Sequence, residues 1–293
     1  MKALSRLGLG TAPIGGLFRE VSEQDAADTV TAALAEGISY FDTAPRYGHG
    51  QAEERLGRTL AGGVVSTKAG WLLRPGQRVE TDWTERGIRA SLESSLERLN
   101  RSSVDLLYLH DPDDHAEDVR RTGYAAARRL KEEGLTGAIG FGMNHSEPLA
   151  DHVAEYDVDA VLIAGRFSLL DHEALRRLLP LCQERGTAVV VGGVFNTGLL
   201  AEPAPGAMFN YRPADAEAVA RAQRCAKLCA EFGVPLTAAA IQFPFLHPAV
   251  TSVVVGCRSA AEVRANAAAL RAPVPAELWR RLADHGFVPP ELL

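Results

Sequence analysis

The chain has 293 residues, 46% hydrophobic and 23% charged, with 31 basic against 37 acidic side chains and a net charge of -6. That balance describes a soluble globular protein long enough for a large core, and the lack of long single-sign runs argues against a nucleic-acid surface. No apolar stretch reaches the ~20 residues of a membrane helix, and the opening MKALSRLGLGTAPIGG lacks the apolar core of a signal peptide, so a cytoplasmic protein without membrane or nucleic-acid partners is expected.

In chain order, LGLGTA comes first. Its glycines lack the G-x-G-x-x-G spacing of a dinucleotide fold, so it is expected as a strand with a glycine-rich exit. SEQDAADTVTAALAEG follows as a helix opened by a serine cap and closed by glycine. Further strands are expected at ISYFDT, GVVSTK, VDLLYLH, TGAIGFG, DAVLIAG, TAVVVGG and TSVVVG, with helices such as ERGIRASLESSLERLN and DHEALRRLLPLCQERG between them. Near-continuous apolar strands are buried on both faces, and a helix of a dozen residues supplies the crossover that a parallel neighbour needs. Eight such units at this length predict an α/β fold, a single-domain (β/α)8 TIM barrel over residues 1–293. Two long connections, AGWLLRPGQRVETDW after the third strand and VFNTGLLAEPAPGAMFNYRPAD after the seventh, are expected as loops on the binding face at the C-terminal rim. Cys182, Cys225, Cys229 and Cys257 are expected as buried free thiols, since no second ligand pair follows Cys225 and Cys229 at zinc-site spacing.

Three consecutive strands end in ionisable side chains. Asp42 closes the second, Lys68 the third and His110 the fourth, so parallel pairing gathers them at one end of the barrel, with Tyr47 on the loop leaving the second strand. Burying such a cluster costs several kcal/mol unless the charges are paired, and a barrel rim is where that arrangement serves chemistry. The set suits proton transfer coupled to hydride transfer. A phenol titrates near ~10, and an ammonium about 4 Å away is worth roughly 4 kcal/mol at an effective dielectric of ~20, or up to about 3 pK units. Tyr47 is therefore expected to titrate within reach of neutrality, with Asp42 holding Lys68 charged and His110 orienting the substrate oxygen. HDPDDH (residues 110–115) offers the ligand types of a metal-dependent barrel hydrolase, but at no common zinc spacing, and no metal is expected. A barrel that binds a nucleotide without catalysis is the other alternative, against which the four polar groups together count.

At these residues the chain resembles the aldo-keto reductase family: GISYFDTAPRYGHGQAEERLG is similar to its signature after strand two, VVSTKAG to its lysine segment and LLYLHDPD to its histidine segment. The resemblance implies an oxidoreductase that binds NAD(P) without a Rossmann fold, with Asp42, Tyr47, Lys68 and His110 catalytic and Tyr47 the general acid/base. It also implies that GFGMNHS sets Met143 and Asn144 beside the nicotinamide, that Gly193, Val194 and Phe195 line the cofactor, and that Gly256, Arg258, Ser259, Glu262 and Asn266 hold the adenosine end. A guanidinium suits a 2′-phosphate, so NADP is expected, with NAD the alternative. Ala164 replaces a glutamine that many members carry, and Gly192 and Gly193 stand where they place a stacking aromatic. These departures resemble the branch with aldose 1-dehydrogenases acting on fucose-type and threo-configured sugars, and also bacterial pyridoxal dehydrogenases. They imply oxidation of a hemiacetal at C1 to a lactone. Reduction of an aldehyde or ketone, or oxidation of pyridoxal, stays open as the alternative. Trp71, Arg166, Phe195, Asn196 and Tyr211 are candidates for the sugar pocket, because polar groups beside aromatic faces suit a polyhydroxylated ring. The sequence does not fix the oligomeric state.

Overall fold

A computed structural model of the protein describes residues 1–17 and 19–293. The strands are β1 (Leu7–Gly10), β2 (Tyr40–Asp42), β3 (Val64–Ala69), β4 (Trp71–Arg74), β5 (Arg78–Thr81), β6 (Leu106–His110), β7 (Ile139–Met143), β8 (Ala160–Ala164), β9 (Ala188–Gly192), β10 (Met208–Phe209), β11 (Arg212–Pro213) and β12 (Val250–Gly256). Eight of them, β1, β2, β3, β6, β7, β8, β9 and β12, pair in parallel in that order and close on themselves. They are the eight strands expected from the apolar runs, and the fold is a (β/α)8 barrel.

Register explains where the polar side chains go. Asp42 pairs with Ser66, Lys68 with Tyr108 and His110 with Gly142, so Tyr40, Asp42, Ser66, Lys68, Tyr108 and His110 fall on the inward parity of their strands. Tyr40, Leu106, Tyr108, Leu162, Val190 and Val254 fill the interior. The alternate residues Phe41, Val65, Leu107, Leu109, Phe141 and Val161 pack outward in the main core that includes the helices.

The loop that carries Tyr47 is fixed from both sides. The helix Gln51–Thr59 directly after it buries Glu53, which accepts hydrogen bonds from Arg98 Nε at 2.7 Å and Thr67 Oγ1 at 2.5 Å and so ties the helix to β3 and to the helix Glu85–Leu99. On the other side, a Cβ at Gly48 would lie 2.0 Å from the carbonyl oxygen of Gly15, so only glycine allows this approach of the loop to the exit of β1.

The long connections are more ordered than loops. The one after β3 folds back as the antiparallel hairpin β4–β5, and the one after β9 contains the short ribbon β10–β11. The segment DHEALRRLLPLCQERG is not one helix either: a 3-10 turn at Glu173–Leu175 precedes the helix Leu178–Arg185, a start that leaves Pro180 in the first turn, where its missing N–H costs little. All four cysteines are buried and unbridged. Among the described residues, no single helix is long and apolar enough to cross a membrane.

Candidate active site

Asp42 and Lys68 form the floor of the site. The carboxylate accepts from Lys68 Nζ at 2.7 Å through Oδ2 and from Ser66 Oγ at 2.7 Å through Oδ1, and the ammonium also donates to the Thr43 carbonyl at 2.8 Å. The Lys68 and Asp42 side chains are only 1% and 4% exposed. Burial by itself would lower the lysine pKa, but the charge of Asp42, its hydrogen bond and Tyr47 together hold it above its ordinary value, so the ammonium stays charged.

Tyr47 lies over this pair, its ring centroid 4.7 Å from Lys68 Nζ and edge-on to the His110 ring at 6.2 Å. Here the expectation of a phenol titrating near neutrality is corrected. Burial pushes Tyr47 up to about 12, the pull of Lys68 is smaller than that push, and Asp42 adds to the rise. His110 goes the other way. Burial first, then the positive charges of Lys68 and Arg46, hold it well below the usual imidazole range, so it is neutral at physiological pH. Its Nδ1 is buried without a hydrogen-bond partner among the described residues.

Two cavities meet at this corner. The larger, about 510 Å³, runs from Asp42 and Tyr47 past Ala164, Gly192 and Gly193 to Gly256, Arg258, Glu262 and Asn266. The smaller, about 380 Å³, is lined by Arg46, Lys68, His110, Asp111 and Met143 and shares Tyr47, Asn144 and Tyr211 with the first.

The structure thus brings together most of the residues singled out in the sequence. Gly193, Val194, Phe195 and Arg166 also line the larger cavity. Arg166 is held by the Asn144 carbonyl at 2.9 Å and by Asp171 at 3.1 Å. A Cβ at Gly256 would come within 2.7 Å of Pro13 Cγ, so glycine keeps that stretch of wall open. Arg258 and Glu262 engage each other, Nη2 to Oε1 at 3.2 Å and backbone N–H to Oε2 at 2.8 Å, and Asn266 donates to Cys257 Sγ at 3.2 Å.

Three predicted residues lie elsewhere. Trp71 stands outside both cavities: β4 turns it behind His110, whose carbonyl accepts from its indole N–H at 2.8 Å, while the Arg46 guanidinium stacks on its ring at 4.2 Å. Asn196 is fully buried, its Oδ1 accepting from Ser168 Oγ at 2.7 Å and its Nδ2 donating to Asn210 Oδ1 at 3.0 Å, so it braces the wall from behind. Ser259 caps the helix Ala260–Arg271 by accepting from the Glu262 N–H at 3.2 Å, which leaves its own O–H free to donate to a ligand. Conversely, Asp111 and Arg46 were not read as lining residues, although both border the smaller cavity. Burial first, then Asp113, raises the Asp111 pKa against the opposing charges of Arg46, Lys68 and His145. Two further members of HDPDDH pair away from it, Asp113 with His145 and His115 with Asp118.

The profile of the Aldo/keto reductase family matches residues 6–286. The chain is 41% identical to D-threo-aldose 1-dehydrogenase of Pseudomonas sp, covering 98% of this chain and 95% of that protein, and 38% identical to pyridoxal 4-dehydrogenase of Microbacterium luteolum, covering 97% and 95%. Among solved structures it resembles an aldo-keto reductase from Bacillus halodurans in its holo form, with a TM-score of 0.80 at 28% identity, covering 96% of this chain and 92% of that one.

Proposed function

The chain belongs to the aldo/keto reductase family and is an NAD(P)-dependent oxidoreductase; from that premise we propose that it oxidises an aldose at C1 to the lactone, with Asp42, Tyr47, Lys68 and His110 as its catalytic residues. One observation carries the reading: a phenol, a charged ammonium locked to a carboxylate and a neutral imidazole converge where the two cavities join.

Bound nicotinamide supplies the hydride acceptor, or the donor in reverse. The residues of the chain manage the proton. In oxidation Tyr47 Oη takes the proton of the C1 hydroxyl as that carbon gives up hydride, and Lys68 stabilises the phenolate that must exist beforehand. In reduction the protonated phenol donates to the carbonyl oxygen. His110, being neutral, offers that oxygen a hydrogen bond without adding charge. Met143, Asn144, Gly193, Val194 and Phe195 suit the nicotinamide half of the nucleotide, since an amide side chain both donates and accepts at the corner where Tyr47 lies. Gly256, Arg258, Glu262 and Asn266 suit the adenosine half, with Ser259 shaping the turn. NADP is the proposed nucleotide and NAD the alternative. The Arg258–Glu262 pair is half-exposed, so exchanging it for a 2′-phosphate costs little, although the Glu262 charge opposes that phosphate.

Residues 1–293 act in this reading as one barrel domain in the cytoplasm, and four unbridged thiols fit a reducing compartment. A second reading, reduction of an aldehyde or ketone, draws on the raised Tyr47 pKa, which keeps the acid form in place at neutral pH. Nicotinamide absorbance with a panel of aldoses, pyridoxal and simple aldehydes, each with both nucleotides, tests the choice. Oxidation of aldoses with the highest kcat/KM is expected; turnover confined to pyridoxal or simple aldehydes overturns the aldose reading.

A further inference from the structure

Asp111 follows His110 directly, with its backbone in the left-handed region at φ 45 and its N–H donating to the Gly142 carbonyl at 2.9 Å. An aspartate tolerates that conformation better than most side chains, and it turns this carboxylate into the smaller cavity instead of continuing the strand alternation. Oδ1 accepts from Asn144 Nδ2 at 3.1 Å. Oδ2 lies 3.6 Å from His110 Nε2 and 3.7 Å from Arg46 Nη1, both beyond hydrogen-bond reach. The side chain is 22% exposed, and that exposure opens onto the space that Tyr47 and His110 also line.

A carboxylate accepts hydrogen bonds and, when ionised, donates none, so a ligand group that satisfies Oδ2 must bring an O–H or N–H. The group must also sit next to the oxygen that His110 holds, because the two protein atoms are only 3.6 Å apart. A hydroxyl on the carbon adjoining the reacting one meets both conditions. We propose that Asp111 is a specificity-determining residue that accepts a hydrogen bond from the substrate's α-hydroxyl, so that the site selects α-hydroxy aldehydes and their cyclic hemiacetals over carbonyl compounds without that group. The proposal rests on the catalytic corner described above and narrows its substrate class. A site built to bind a hydroxyl discriminates against the analogue that lacks it, because the analogue displaces water from the carboxylate without supplying a donor in its place.

The test compares glyceraldehyde with propanal, both reduced with reduced nicotinamide nucleotide, in the wild-type protein, Asp111→Asn and Asp111→Ala. The wild-type kcat/KM is expected to favour glyceraldehyde by about tenfold or more, and Asp111→Asn to cut that ratio by about tenfold, the scale of a hydrogen bond to a charged group. Asp111→Ala should cut it at least as far. Equal loss on both substrates, leaving the ratio where it was, means that Asp111 only braces Asn144 and Arg46 and overturns the proposal. So does a wild-type enzyme with no preference. An aldose against its 2-deoxy counterpart, run on the wild type alone, reads the same preference if the variants fail to fold. Tyr47→Phe serves as the separate control: full rates there would overturn the catalytic corner itself, whatever the ratio at Asp111.

Discussion

At the barrel mouth Lys68 and Asp42 lie 2.7 Å apart with side chains 1% and 4% exposed, whereas at the far end of the larger cavity Arg258 and Glu262 lie 3.2 Å apart and are 38% and 39% exposed. Both are cation–carboxylate pairs, yet burial gives them opposite properties. The first cannot be opened without leaving a buried charge without its counter-charge, so its geometry is set before any ligand arrives. The second is screened by water and contributes under about 1 kcal/mol, so its partners are free to be exchanged. In the proposed function the chemistry is attached to the rigid pair and the nucleotide preference to the soft one.

The comparison can be broken most directly at the rigid end. Tyr47→Phe removes the proposed proton carrier and leaves the walls intact. Turnover is expected to fall by about a hundredfold to ten-thousandfold, with nucleotide affinity by fluorescence titration little changed; a variant that keeps its rate rules the tyrosine out. Lys68→Met comes next. It strands Asp42, and thermal unfolding should show a loss of about 3–5 kcal/mol. The same change removes the pull on the phenol. Wild-type oxidation should climb with pH through the alkaline range, because the tyrosine at about 12 must lose its proton first, and the variant should need a still higher pH or lose activity. A pH profile that does not move would separate Lys68 from the phenol. The smallest effect belongs to the soft end. Glu262→Gln should raise kcat/KM with NADP relative to NAD severalfold while stability changes by less than about 1 kcal/mol, and an unchanged ratio would remove Glu262 from nucleotide selection.

Much of this was readable from the residues. Eight short apolar runs mark eight buried strands, and Asp42, Lys68 and His110 at three of their ends mark the shared rim, because parallel register leaves no freedom in where a strand end points. The connections were less legible. The hairpin β4–β5 turns at Pro75–Gln77 through Gly76 and Gln77, both with positive φ, and only its folding back shows that Trp71 faces away from the cavities. Asn196 shows a related limit: spacing places a polar residue near a site, but not that its hydrogen bonds are made to Ser168 and Asn210. Asp111 was read only as one carboxylate of HDPDDH, and its left-handed backbone is not legible in that segment. The sign of the Tyr47 shift was missed because the ammonium can be counted in a sequence, while the surrounding low-dielectric wall cannot.

Below the floor of the site, Ser66 gives its proton to Asp42 and lies 2.9 Å from the Tyr40 hydroxyl, which is 3.5 Å from that of Tyr108. A hydroxyl has one hydrogen to give. With that hydrogen committed to Asp42, the phenol of Tyr40 is the donor to Ser66, and the column acquires a polarity that runs upward to the carboxylate. The interior of the barrel therefore ends on the carboxylate that holds Lys68, so a change at Tyr40 would reach that pair through Ser66.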